Sequence, residues 1–216
     1  MTSQPPESES SKARLILGGV FVLLVSGAMI GGYYAGRRPE LRLLPAAADQ
    51  TVGSFALVDQ LGRPVTEADV KDRVLVVSFV FTACSVTCLQ VSHNMARIQE
   101  ALAGANDVRL VSISVDPKGD SPAALKDFGT KFKADARKWM FLTGEPAAVH
   151  GLLRKSFLDV DESGRYNPMP GGYVDADRIA VVDREGRVRG FVRGTRPECV
   201  DQVMAAVNEL RAVGSR

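Results

Sequence analysis

Eight consecutive residues, Val74-Leu-Val-Val-Ser-Phe-Val-Phe81, include one polar side chain and are otherwise β-branched, aromatic or leucine. A run of this length and type reads as a strand covered on both faces, so the chain must place structure above and below a sheet. Behind it, Val91, Met95, Ile98 and Leu102 fall on one stripe at helical spacing. Between strand and helix stands Thr82-Ala-Cys84-Ser-Val-Thr-Cys88. With a helix starting near Ser85, Cys84 lies at its N-terminus, where unpaired N–H groups and the dipole favour a thiolate. Cys88 then follows one turn later on the same face. Helical positions i and i+4 have Cα atoms roughly 6.2 Å apart, inside the range of about 4.4–6.8 Å that a disulfide tolerates. The pair can close, open or clamp a soft metal. The expectation is two sulfurs facing solvent at the head of a βα crossover.

The chain divides by composition before any chemistry is assigned. Residues 1–11 are rich in Ser, Glu and Pro and read as a disordered tail. Residues 13–36 read as a transmembrane anchor, because the run 15–36 is uncharged and about the 20 residues that cross a bilayer core. Tyr33 and Tyr34 suit the headgroup interface. A cleaved signal has a shorter apolar region of about 7–15 residues and a small-residue cleavage site, which is missing before Arg37-Arg38. Residues 37–52, with Pro39, Pro45 and an alanine run, read as a tether, and residues 53–216 as one domain. Lys12 and Arg14 precede the span while Arg37, Arg38 and Arg42 follow it, which leans toward a cytoplasmic C-terminal domain. Paired-cysteine chemistry points to an oxidising compartment instead. The expected placement is a single-pass cell-membrane protein with its soluble domain on the periplasmic or outer side. A net charge of +2 gives no reason to expect a nucleic-acid partner.

Along the domain, Phe55 to Asp59, a turn at Gly62, and a return strand at Val65 read as an edge hairpin. Val108 to Val115 is a second strand, expected parallel beside the first with the cysteine helix as crossover. Ser121 and Pro122 open a helix carrying Leu125, Phe128 and Phe132. Trp139 to Leu142 is a short strand, and Ala147 to Phe157 a short helix with Leu152 and Leu153 inward. Residues 160–176 read as a long irregular loop, a length usual for functional or disordered segments. Arg178 to Asp183 and Val188 to Val192 make a hairpin around Glu185-Gly186. Thr195 and Glu198 have capping-box spacing ahead of a closing helix bearing Val200, Val203, Val207 and Leu210. The sum is an α/β, thioredoxin-like sandwich, a central mixed sheet flanked by helices, with an N-terminal transmembrane helix.

At Phe79-Val-Phe-Thr-Ala-Cys84-Ser-Val-Thr-Cys88, Val115-Asp-Pro-Lys-Gly-Asp-Ser-Pro122, Trp139-Met-Phe-Leu-Thr-Gly144 and Asp183-Arg-Glu-Gly-Arg187 the chain resembles the Sco/SenC proteins. These are membrane-anchored, thioredoxin-like copper proteins. The resemblance implies that Cys84 and Cys88 bind copper and pass it on in the assembly of a respiratory oxidase. The implied partners are an oxidase subunit or another copper or thiol protein at the membrane, with the bilayer meeting residues 15–36. Two departures stand out. Leu89 occupies the position after the second cysteine where the family usually has Pro. The family's His ligand before the last hairpin has no counterpart, since Gly171-Gly-Tyr-Val-Asp-Ala-Asp-Arg178 lacks His and the residue that aligns is Asp175.

A carboxylate is a hard ligand, poorly matched to Cu(I), which prefers thiolate, thioether or imidazole. Met169, in the long loop, is a soft alternative if the loop folds over the cysteines. His93 is about 140° round the helix from Cys88 and reads as a surface residue. His150 lies on a later helix. Cys199 shares a face with Val203, Val207 and Leu210 and reads as a core thiol. Asp116 and Asp120 read as turn and cap residues. Three functions remain open: copper binding and delivery; thiol-disulfide oxidoreduction with Cys84 as the attacking thiolate and Cys88 as the resolving thiol; and a structural module with an inert pair.

Overall fold

The computed structural model describes residues 25–27, 29, 50–84, 86–157 and 176–213. The expected tail 1–11, nearly all of the span 13–36, most of the tether and the loop positions Met169 and Asp175 lie outside the described residues. Among the described residues no helix is long and apolar enough to cross a membrane. The chain separates into two compact units, Met1–Pro39 and Glu40–Arg216.

The second unit runs β1 (Ala56–Asp59), β2 (Pro64–Thr66), β3 (Val74–Val80), α1 (Thr87–Ala101), β4 (Val108–Ser114), α2 (Pro122–Lys131), β5 (Trp139–Thr143), α3 (Pro146–Ser156), β6 (Arg178–Val182), β7 (Val188–Arg193) and α4 (Cys199–Val213). The seven strands form one sheet in the order β2-β1-β5-β4-β3-β6-β7. Strands β3, β4 and β5 are mutually parallel, with Val74 beside Val108 and Leu110 beside Trp139. Strand β6 lies antiparallel on the other side of β3. The expected βαβ unit, the edge hairpin and the late hairpin are all present, and the sheet is mixed.

Every residue of β3 is buried. Val74, Val76 and Val80 point into one core with Val91, Met95 and Ile98 of α1, Leu125 and Phe128 of α2, and Val203 and Val207 of α4. Leu75, Val77 and Phe79 point into the opposite core against Val149, Leu152 and Leu153 of α3. The strand's one polar side chain, Ser78, faces the first core. Its hydroxyl lies 2.7 Å from that of Ser112, which also accepts the Trp139 indole N–H at 2.9 Å. A strand enclosed this way can carry polar atoms only where a neighbour in register supplies the partner.

The two hairpins share one turn device, Asp59-Gln-Leu-Gly62-Arg63 and Asp183-Arg-Glu-Gly186-Arg187. Gly62 and Gly186 take φ of 75° and 82°, a region that side chains disfavour. Asp59 Oδ1 accepts the N–H groups of Leu61 and Arg63, both at 2.9 Å, and Oδ2 accepts Arg63 Nε at 2.8 Å. Asp183 repeats the pattern with Glu185 N–H at 3.2 Å, Arg187 N–H at 2.8 Å and Arg187 Nε at 2.8 Å. Burial pushes both carboxyls up, and the hydrogen bonds from the Arg63 and Arg187 segments outweigh it, leaving each below the ordinary value.

A depressed native value means stability that is full above the unfolded carboxylate pKa of about 4 and lost as pH falls through the native one. Replacing Asp59 and Asp183 by Asn should therefore lower stability at pH 7 by about 1–3 kcal/mol per site. The gap to wild type should narrow at pH 3. Urea unfolding at the two pH values checks it, and an equal gap at both would refute the turn carboxylates as acid-sensitive supports.

Candidate metal and thiol site at the end of the buried strand

Beyond β3 the chain has to leave a doubly covered strand and enter α1. Phe81 packs against both cores, and Cys84 N–H closes a turn onto Phe81 C=O at 3.1 Å. The helix begins at Thr87, not near Ser85, because Val86 sits at φ −133° and ψ −68°, outside helical geometry, and offers no side-chain cap. Cys84 fills that role from outside the helix. Its sulfur accepts the Cys88 N–H at 3.2 Å, satisfying one of the unpaired donors of the first turn.

The two sulfurs are therefore neighbours, as expected, but unequal, which was not expected. Cys84 is half-buried and Cys88 is wholly buried in the first core, against the expectation that both face solvent. Helix position explains this. Cys88 shares the inward face with Val91, Ser92 and Met95, while Val86 and Leu89 are exposed. Both are free thiols. Burial pushes the Cys84 thiol up, but hydrogen bonds from the Cys88 thiol and from the N–H groups of Cys88, Val86 and Thr87 more than compensate, and it lies below the ordinary thiol value. The Cys88 thiol is pushed up to about 12 by burial first, then by the hydrogen bond it gives Cys84 and by the negative charges of Cys84 and Asp120. The arrangement is a half-buried thiol that ionises more readily than usual, backed by a buried thiol that ionises less readily, and both sulfurs are soft donors.

Asp116 behaves as the turn residue expected, its Oδ1 accepting Gly119 N–H at 3.3 Å and its carbonyl accepting Asp120 N–H at 2.9 Å. Asp120 does not stop at precedence to a cap. It is 1% exposed and its carboxylate reaches back across the sheet end. Oδ1 accepts Thr82 N–H at 3.0 Å and Thr82 Oγ1 at 2.7 Å, and Oδ2 accepts Ser114 Oγ at 2.6 Å. Sequence offers no signal for the Thr82 bonds, since Thr82 and Asp120 are 38 residues apart.

His93 is exposed and His150 half-buried on α3, in the core layer opposite α1. Cys199 is a core thiol, pushed up to about 12 by burial and then by the charge of Asp177. Helix α4 starts at Cys199 rather than directly after Thr195, whose N–H is taken by Asp177 Oδ1 at 2.9 Å. Among the described residues no three His, Cys, Asp or Glu side chains gather as a metal cage. The chain that follows Asp175 does return to this region. Ala176 packs against the core that holds Cys88, and Asp177 C=O accepts Gly194 N–H at 2.6 Å. Helix α1 is tied to the same turn by Asn94 Nδ2 on Gly194 C=O, 2.8 Å, and Gln90 Nε2 on Thr195 C=O, 2.9 Å.

Residues 45–211 match the family model described as SCO1/SenC. The SCO1 protein homolog of Bacillus subtilis (strain 168) is 36% identical over 108 residues, which are 49% of this chain and 56% of that one. The chain thus spans about half the length of the first curated relatives it matches. Among solved structures, BsSco, described as a Sco-family cytochrome c oxidase assembly protein with a disulfide switch, is 27% identical with a TM-score of 0.62, covering 75% of this chain and 94% of that one. ScoI of Bradyrhizobium japonicum, solved with copper bound, is 25% identical with a TM-score of 0.57, covering 75% of this chain and 98% of that one. The fold is the thioredoxin-like one of these proteins.

The unequal thiols give a direct expectation. Iodoacetamide should modify Cys84 alone in the folded chain, with a pH midpoint below the ordinary thiol value of about 8.5, and reach Cys88 and Cys199 only after unfolding. Peptide mass mapping counts the labels, and two rapid equivalents on the native protein would contradict the asymmetry.

Proposed function

The chain belongs to the SCO1/SenC family, and from that premise we propose that it is a membrane-anchored copper-handling protein of respiratory oxidase assembly, with Cys84 and Cys88 as its working pair. Copper is cargo in this reading. The observation that carries it is the placing of both sulfurs together at the end of β3, Cys84 Sγ accepting the Cys88 N–H at 3.2 Å with Cys84 only half-buried. Two thiolates suit Cu(I), whose preference is for soft donors. A third ligand would come from the stretch before β6, with Asp175 or Met169 as the candidates. Residues 13–36 would anchor the chain in the cell membrane, with the domain on the periplasmic or outer side, where an oxidising compartment lets a dithiol cycle. A copper or thiol protein at the membrane, such as an oxidase subunit, would receive the cargo.

The same asymmetry supports a second reading, thiol-disulfide exchange without copper. A half-buried thiol that ionises readily, backed by a buried one, suits the division of labour between attacking and resolving cysteines. The disulfide switch ascribed to BsSco is consistent with it.

An anaerobic Cu(I) titration of the detergent-solubilised chain against a chromophoric chelator separates the two. Copper delivery expects about one equivalent bound, lost in Cys84→Ser, and a gain of about 10–100-fold in Asp175→His, the order by which a supporting group alters metal affinity. Equal affinity of wild type and Cys84→Ser would sink the copper reading. No copper binding, together with a reversible Cys84–Cys88 disulfide, would leave thiol exchange in its place.

A further inference from the structure

Asp120 has more hydrogen-bond acceptance than a turn needs, and none of it is local. Asp116 already holds the Asp116–Asp120 turn, through Gly119 N–H on its carboxylate and Asp120 N–H on its carbonyl. Ser121, not Asp120, caps α2, accepting Ala124 N–H at 3.2 Å. The Asp120 carboxylate is left to span the ends of two parallel strands, binding Ser114 at the last position of β4 and both polar groups of Thr82 just past β3. Parallel pairing at this end closes with Val115 N–H on Val80 C=O at 2.8 Å. The next backbone donor on the β3 side, Thr82 N–H, has no strand partner and goes to Asp120 instead. Thr82 stands two residues before Cys84, and the turn carrying Cys84 springs from Phe81 C=O.

We propose that Asp120 is a positioning residue of the cysteine site: by holding Thr82 from beneath, it fixes the turn that sets Cys84 Sγ on the Cys88 N–H. Resting on the reading of Cys84 and Cys88 as the working pair, the inference adds what keeps the two sulfurs in register. The negative charge of Asp120 near Cys88 agrees with that placement, since it is among the causes that keep Cys88 protonated. Without the carboxylate, Thr82 N–H, Thr82 Oγ1 and Ser114 Oγ lose their acceptor, the last of them fully buried and the Thr82 pair partly so. The turn then relaxes toward solvent.

The test is the thiol-disulfide equilibrium of the full chain in detergent with glutathione. Two protein thiols and one oxidised glutathione give the Cys84–Cys88 disulfide and two reduced glutathiones. In Asp120→Asn the amide oxygen can keep both Thr82 bonds, while the NH2 group donates to Ser114 Oγ, so the equilibrium constant should stay within about threefold of wild type. Asp120→Ala should shift it by about tenfold or more, the scale expected when donors of this kind lose their acceptor. Thr82→Val, which loses only the hydroxyl bond, should fall between them and serves if Asp120→Ala does not fold. Hydrogen exchange at the Thr82 and Cys84 amides reads the turn apart from its chemistry and should quicken in Asp120→Ala. An unchanged equilibrium in Asp120→Ala and Thr82→Val overturns the proposal. So does an Asn variant that matches Ala, because charge and not hydrogen bonding would then be acting. A wild type that forms no Cys84–Cys88 disulfide at any glutathione ratio, with quickened exchange in Asp120→Ala, refutes the thiol-exchange reading and upholds the positioning.

Discussion

The complete burial of β3 governs the rest of this structure. A strand with helices on both sides cannot carry unpaired polar groups along its length, so its N–H and C=O groups are used by β4 and β6, and its one hydroxyl by Ser112. Where the strand ends, that accounting has to be closed by something other than another strand. Asp120 and the cysteine turn do it together, the first for Thr82 and the second for the opening turn of α1. The reactive site is thus the place where the backbone of the most enclosed strand returns to water.

That origin explains why the two cysteines differ. Cys84 belongs to the turn and remains half-open, while Cys88 belongs to the helix face that fills the first core. Burial, the mutual hydrogen bond and the nearby carboxylate all act against a second negative charge at Cys88. A site with one half-open thiol of lowered pKa and one buried thiol of raised pKa suits stepwise chemistry, in which a partner would meet Cys84 first and Cys88 would respond. Both copper transfer and disulfide exchange have this order. The division between them therefore turns on a third ligand rather than on the pair.

Much of the fold was legible because its signals are local. The period-2 and unbroken apolar runs mark the strands, and Gly62 and Gly186 mark the turns through their positive φ. Ser121-Pro122 marks the start of α2 to the residue. Errors arose where a local rule met a tertiary demand. The cysteine helix begins at Thr87 because Val86 is outside helical geometry after the Cys84 turn, and α4 begins at Cys199, its first bond being Gln202 N–H on Glu198 C=O, while Thr195 is held in the preceding turn by Asp177. Cys88 was expected at the surface because the Cys-x-x-x-Cys spacing fixes only the relation between the two sulfurs, and the depth of the helix face behind them is set by packing on α4 and β3.

What the sequence determined by itself is the chemistry on offer: two thiols at a strand-to-helix junction, a third thiol on a core face, and no imidazole in residues 171–178. Composition and spacing suffice for that, since they specify residue types and near neighbours along the chain. Which thiol ionises more readily, which is sealed in, and which carboxylate braces them were decided only by the folded sheet. Those properties depend on burial and on hydrogen bonds between segments tens of residues apart, as with Thr82 and Asp120, and no local pattern encodes a distance that closes only when β3 and β4 lie side by side.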